Sequence, residues 1–346
     1  MMMRKNSGLT LVEILIAMAL GITLIAGVVQ IFVSNKRVFS SQQALSGIQE
    51  TGRFAVELMS SDIRMAGYFG CMSRVSQLTN TLNNANGFNF DFTNAVAGAD
   101  VDNDGGGAVP AGYPAALTGT DVLVLRLSTG DASAVVAVND ADSIFIDTYA
   151  VSTCAVGTGV NGLCTGDLVV VSDCSKARVF QASSFVTAGS TTSVFHASAG
   201  TPGNAIPAWG AGIDPAEVFD VGAQLMKVST VAYYVAAGAS GRPALFQAID
   251  GVAFELFEGV ENFQVSYGVD TNNDSVPDNY QNANAIAAAN WQNVRSVRIA
   301  LLVSSIEDNV VDEVQPFTFN GVLTTPADRR LRLVFNNTIG IRSRTP

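Results

Sequence analysis

The stretch Gly8-Leu9-Thr10-Leu11-Val12-Glu13-Ile14-Leu15, continued as IAMALGITLIAGVVQIFV through Val33, decides how this chain is built. Residues 9–33 are almost unbroken apolar sequence. As a helix rising 1.5 Å per residue they reach about 37 Å, enough to cross a hydrocarbon core of roughly 30 Å with some tilt. A cleaved secretory signal also begins with a basic segment, as MMMRKNSG does here. Its apolar region is shorter, however, and a small-x-small cleavage site follows it, which this chain lacks. The sequence after the run, SNKRVFSSQQALSGIQ, instead continues in helical character. Glu13 is the informative residue. A carboxylate inside such a run costs about 2.5–3.5 kcal/mol on insertion scales unless it finds a partner, so it marks a functional position. Arg4 and Lys5 flank one end and Lys36 and Arg37 the other, so charge alone does not orient the span.

The remaining composition narrows the classes. The 346 residues carry 19 basic and 30 acidic side chains, a formal charge of −11. That balance opposes nonspecific nucleic-acid binding, which needs a basic footprint. One histidine, His196, and four cysteines leave little material for a transition-metal site or imidazole catalysis. With 48% hydrophobic residues the chain is not disordered as a whole.

Past the apolar run, residues 34–65 contain no proline. Val38, Leu45, Ile48, Ala55, Met59 and Ile63 recur at helical spacing between glutamines and glutamates, which predicts an amphipathic continuation to about Met65. Gly52 lowers helix propensity and predicts a bend or a close contact.

Gly8 to Glu13 resembles the class III signal of type IV prepilins and pseudopilins, in which a glycine precedes an apolar residue and a glutamate stands five positions into the mature chain. The resemblance implies cleavage by a membrane prepilin peptidase between Gly8 and Leu9, N-methylation of Leu9, and an assembly role for Glu13. Leu9 stands where the family most often has phenylalanine. In a packed filament core, the new ammonium of one subunit and Glu13 of another would neutralise each other. The stretch Arg64-Met65-Ala66-Gly67-Tyr68-Phe69-Gly70-Cys71, with Leu333 to Arg342 (LVFNNTIGIR), resembles the PilW group of minor pilins. That group implies an initiation or tip complex that primes pilus assembly for adhesion and twitching motility. The implied partners are other minor pilins, the major pilin, a large tip adhesin, the prepilin peptidase and the inner-membrane assembly platform. It further implies an inner-membrane location with the head in the periplasm, then the pilus tip at the cell surface.

The expected fold is α+β. Residues 1–8 form a leader, 9–33 the transmembrane or filament-core half of a helix, 34–67 its amphipathic half, and 68–346 a large antiparallel β-rich head of two sheets. Predicted strands are 121–127, 134–138, 143–147, 167–172, 178–181, 224–235, 244–248, 254–257, 263–269, 294–304 and 331–335, rich in Val, Phe and Tyr between Gly, Asn, Asp and Pro. Residues 80–119 and 197–216 read as surface excursions. In an exported head Cys71, Cys154, Cys164 and Cys174 predict disulfides. Cys164 and Cys174 flank an extended segment, which removes the pairing of those two. Either Cys154 joins Cys164 and Cys71 joins Cys174, or Cys154 joins Cys174 and Cys71 joins Cys164. The first is preferred because it closes a short glycine-rich hairpin and ties the helix end to a sheet.

Asp270, Asn272, Asp274 and Asp278 alternate as the oxygen ligands of a calcium loop do, although Gln281 stands where the twelfth-position glutamate would be. A solvated Asx-rich turn is the competing reading. Asp100 to Gly105 begins the same way without a later carboxylate. No cofactor is required by this reading, and calcium is the one candidate. Gly157 to Gly162 matches G-x-G-x-x-G but lacks the strand-to-helix context of a dinucleotide site. His196 reads as a strand-surface residue, Trp209 as a core or loop anchor, and no catalytic residue is nominated. A minor pseudopilin of type II secretion or DNA uptake is the alternative function, and a membrane-anchored periplasmic enzyme or sugar-binding module the third.

Overall fold

The structure, a computed structural model, describes residues 10–71, 77–101, 109–155, 157 and 159–344. One helix runs Leu11–Met65, and the chain divides into two compact units, residues 1–50 with 304–333 and residues 51–303 with 334–346.

In the first unit the helix is exposed on all sides from Leu11, 75% exposed, to Phe39, 68% exposed, and is largely apolar through Val33. Its 18-residue apolar windows meet the length and hydropathy of a membrane span. Val38 and Leu45, expected on the inward face, are exposed, and burial on the helical period begins only at Ile48. Periodicity shows that a face is apolar, not what covers it. The second segment of this unit carries the hairpin Phe317–Phe319 with Val322–Thr324. The Arg330 guanidinium donates to the Ser305 and Ile306 carbonyls at 2.9 and 2.8 Å, tying that segment to itself.

The second unit is β-rich. Among the described residues its main sheet runs Leu78–Asn80, Ala177–Gln181, Leu168–Ser172, Gln224–Ala237, Thr120–Ala137, Ser143–Asp147, Thr191–Phe195 and Ser184–Ala188. Off that path, Val96–Val101 pairs with Thr120–Ala137, and Pro243–Ile249 and Val252–Glu258 continue from Gln224–Ala237. A second sheet orders Asn279–Gln281, Val260–Val269, Val294–Ser304 and Arg332–Gly340. Gly159–Val160 and Leu163–Cys164 form a separate ribbon. The unit thus holds two large sheets and a separate ribbon; Leu78–Asn80 pairs with Ala177–Gln181 in parallel, and Gln224–Ala237 pairs antiparallel with each of its neighbours.

Several expectations change. The strands expected at 121–127 and 134–138 are one, Thr120–Ala137, which pairs first with Val96–Val101 and later with Ser143–Asp147. The strand expected at 331–335 spans Arg332–Gly340. Residues 80–119 are not a surface excursion throughout: Leu82, Phe92, Ala95 and Val96 are buried. Arg126 explains this. Its buried guanidinium donates to the Asn94 and Phe88 carbonyls at 2.7 and 2.8 Å, drawing the loop onto the sheet. Burial pushes its pKa down to about 10, though Asp91 works the other way.

His196 is buried, not on a strand surface. It follows Thr191–Phe195, stacks on Trp209 at 4.3 Å between centroids, and donates from Nδ1 to the Pro207 carbonyl at 2.9 Å. The Arg178 guanidinium lies 4.5 Å from the Trp209 ring and pairs with Glu217 at 2.9 Å.

Candidate assembly site

The first helical turn is organised by its own side chains. Thr10 precedes the helix as its N-cap, and Glu13 lies three positions on. The Thr10 N–H and hydroxyl each donate to Glu13 Oε2 at 2.9 Å, and the Glu13 N–H faces Thr10 Oγ1 at 3.3 Å. This is a capping box, satisfying helix-terminal donors reciprocally. Its signal, T-x-x-E, stands in the sequence beside the peptidase-type motif, whose glutamate reading obscured it. Both bonds fall on Oε2, and Oε1 has no partner among the described residues. The carboxylate thus caps its own helix through one oxygen and leaves the other open among the described residues. Gly8 and Leu9 lie outside the described residues. Farther along, the Thr23 hydroxyl donates to the Leu20 carbonyl at 2.9 Å, removing a polar group that the apolar surroundings would penalise.

The other end of the helix is fastened within the second unit. Ala55, Met59, Ile63 and Ala66 are buried at helical spacing. Gly67 closes the helix with φ +72°, its N–H donating to the Arg126 carbonyl at 2.8 Å, the left-handed cap that glycine adopts without a Cβ penalty. Asp62 accepts from the Tyr233 hydroxyl at 2.6 Å, and Gln247 Nε2 donates to that hydroxyl at 2.7 Å. Burial raises the Asp62 pKa, with the Tyr233 and Gln247 bonds opposing the shift. Asn337 Nδ2 donates to Ser60 Oγ at 3.1 Å, and the Ser343 hydroxyl to the Ala66 carbonyl at 2.7 Å. These partners come from distant strands and, for Ser343, from the closing 3-10 turn Arg342–Arg344, and carry no local sequence signal.

Cys71 joins Cys174 and Cys154 joins Cys164, with Cα separations of 4.9 and 5.7 Å. The first bond ties the segment leaving the helix to the turn between Leu168–Ser172 and Ala177–Gln181. The second closes the glycine-rich ribbon.

The acidic loop is held by its own polar groups. Asp270 is buried and pairs with Arg295 at 2.9 Å. Burial alone would raise its pKa, but bonds from Arg295 and the Ser275 and Asn273 N–H groups hold it lowered. Asn272 Nδ2 donates to Asp274 Oδ2 at 3.1 Å and Asp278 Oδ1 at 3.2 Å. The structure so brings Asn272, Asp274 and Asp278 together while Asp270 faces Arg295. Among the described residues no three His, Cys, Asp or Glu side chains converge as a metal group. Of the shorter loop, residues 102–105 lie outside the described residues.

Comparison with protein families gives two matches. PilW, described as Type IV Pilus-assembly protein W, matches residues 232–343, and the Prokaryotic N-terminal methylation motif matches residues 3–29. No curated protein and no solved structure matches. The first match covers the strands that hold the helix end, including Tyr233, Gln247, Phe335 and Asn337; the second covers the capped start. Joined to the long apolar helix, the two matches support a PilW-type minor pilin, and the methylation motif with that helix fits an inner-membrane-anchored pilin that is incorporated into the pilus.

Proposed function

We propose that this chain primes type IV pilus assembly from an initiation complex of minor pilins and ends at the pilus tip. Prepilin peptidase would remove residues 1–8, and the Leu9 ammonium of one subunit would pair with Glu13 of its neighbour. The observation that carries the reading is the capping box at Thr10 and Glu13, which leaves Glu13 Oε1 open beside the methylation motif. In a dry interface an unpaired carboxylate and an unpaired ammonium are each costly, so pairing sets axial register between subunits. The large head then serves contacts with other minor pilins and a tip adhesin.

The test compares cells carrying wild-type, Glu13→Gln and Gly8→Val chains, scored by intact mass and by surface pili. Wild type yields a methylated chain beginning at Leu9, Gly8→Val stays uncut, and Glu13→Gln is cut but supports few pili. Full piliation with Glu13→Gln would overturn the pairing. Loss of protein secretion with pili intact would move the chain to a secretion pseudopilus.

The acidic loop carries a separate proposal, that calcium takes the place of the Asn272 amide between the Asp274 and Asp278 carboxylates. Calorimetric titration of calcium chloride into wild type and Asp278→Asn tests it. Heat of binding present in the first and lost in the second supports the site, and none in either overturns it.

A further inference from the structure

We propose that a cleft on the β-rich unit, distinct from the assembly helix, binds a neutral saccharide. The cleft has a volume of about 530 Å³ and is lined by Thr129, Asp131, Tyr149, Lys227, Ser229 and Asp250 among others. That volume lies in the range of small-molecule sites. The residues come from four separate parts of the chain: the bend in Thr120–Ala137, the segment after Ser143–Asp147, the strand Gln224–Ala237, and the turn beginning at Asp250.

The wall is built before any ligand arrives. Asn161, 5% exposed at φ 55°, spends its whole side-chain amide on it. Oδ1 accepts from the Tyr149 and Ala150 N–H groups at 3.1 and 3.2 Å, while Nδ2 donates to Ser133 Oγ at 3.0 Å and the Asp147 carbonyl at 2.7 Å. The ribbon carrying Asn161 is closed by Cys154–Cys164. This holds the backbone under Tyr149 in place while its side chain stays 55% exposed. Tyr149 and Asp131 have no side-chain hydrogen-bond partner among the described residues, so a ring and a carboxylate are left open on a rigid frame.

Charge selects the ligand class. Lys227 donates to Asp167 Oδ1 at 2.7 Å. An anion would meet the Asp131 and Asp250 carboxylates, and a cation would lie against an ammonium already held by Asp167. A neutral polyol suits both: its hydroxyls donate to the open Asp131 carboxylate and accept from the ammonium and from the half-buried Thr129 hydroxyl, which the buried Ser229 hydroxyl backs at 3.3 Å. The exposed Tyr149 ring supplies an apolar face for pyranose C–H groups. Rigid polar groups lose little freedom on binding, which lowers the cost of ordering the site around a ligand.

Saturation-transfer NMR on the full chain in a detergent without a sugar headgroup tests this. The probes are lactose, diacetylchitobiose and maltotriose, with sialyllactose and spermidine as charged probes. The expected result is transfer from at least one neutral probe, a dissociation constant about tenfold or more weaker in Tyr149→Ala, and a loss in Asp131→Asn. Melting temperatures of both variants should match wild type, because both side chains are exposed. No transfer from any neutral probe, transfer undiminished in Tyr149→Ala, or binding of charged probes only overturns the proposal. Binding is read on purified protein, so this result is independent of the assembly experiment.

Discussion

The ring of Phe335 occupies the space that a side chain at Gly52 would take: a Cβ built on Gly52 falls inside the ring's van der Waals envelope. The glycine in the helix is therefore a contact site for the strand Arg332–Gly340. Substituting Gly52 by leucine should destabilise the β-rich unit by about 1–3 kcal/mol through overpacking. Gly52→Ala should also destabilise, although alanine raises helix propensity by roughly 1 kcal/mol. Adding Phe335→Leu should restore part of the loss, and thermal denaturation of the double-mutant cycle measures the coupling.

Asp62, Tyr233 and Gln247 predict opposite effects from two conservative changes. Because burial raises the Asp62 pKa, its ionisation works against the folded state, and stability from this group is recovered as pH falls toward the ordinary carboxylate value. Asp62→Asn, which keeps an acceptor for Tyr233, should melt no lower than wild type at neutral pH. Tyr233→Phe leaves the carboxylate short of a donor and should cost about 1–3 kcal/mol. Calorimetric melts of both variants decide this.

His196 titrates in the other direction. Burial, then the nearby Arg178 charge, push its pKa down to about 4, against favourable contributions from the Pro207 carbonyl and Asp142. Its neutral form is the folded form. The full contribution is present above pH 6.5, the ordinary histidine value, and is lost as pH falls toward 4, a total of about 3 kcal/mol. His196→Phe should flatten that slope in acid melts. The chain has one histidine, so its imidazole resonance can be followed directly and should stay neutral at pH 5.5.

The two disulfides should differ in worth. Cys71–Cys174 closes 103 residues and Cys154–Cys164 closes 10. Chain-entropy arithmetic gives about 4.7 kcal/mol for the longer loop and about 2.7 for the shorter. Paired serine substitutions, compared by denaturant midpoint, should rank in that order. Removal of Cys154–Cys164 should leave the helix end bound, while hydrogen exchange at 55–66 should rise when Cys71–Cys174 is removed.

Local pattern by itself determined the apolar helix, its end near Met65, the four cysteines as disulfides and most strands, because a 3.6-residue or two-residue period and turn chemistry are properties of neighbouring residues. It also placed Glu13 as an oddity in an apolar run. Only the tertiary structure decided which apolar positions are covered. Val38 and Leu45 fit the helical period as well as Met59 does, yet they stay exposed, since burial depends on chain that returns from far away. The same holds for polar partners. Arg126 gathers the 80–95 loop, Tyr233 reaches Asp62, and Asn161 holds the segment at Tyr149, each across more than ten residues. A buried polar group requires a partner but does not name it; topology supplies the partner, and with it the anchored helix end and the cleft.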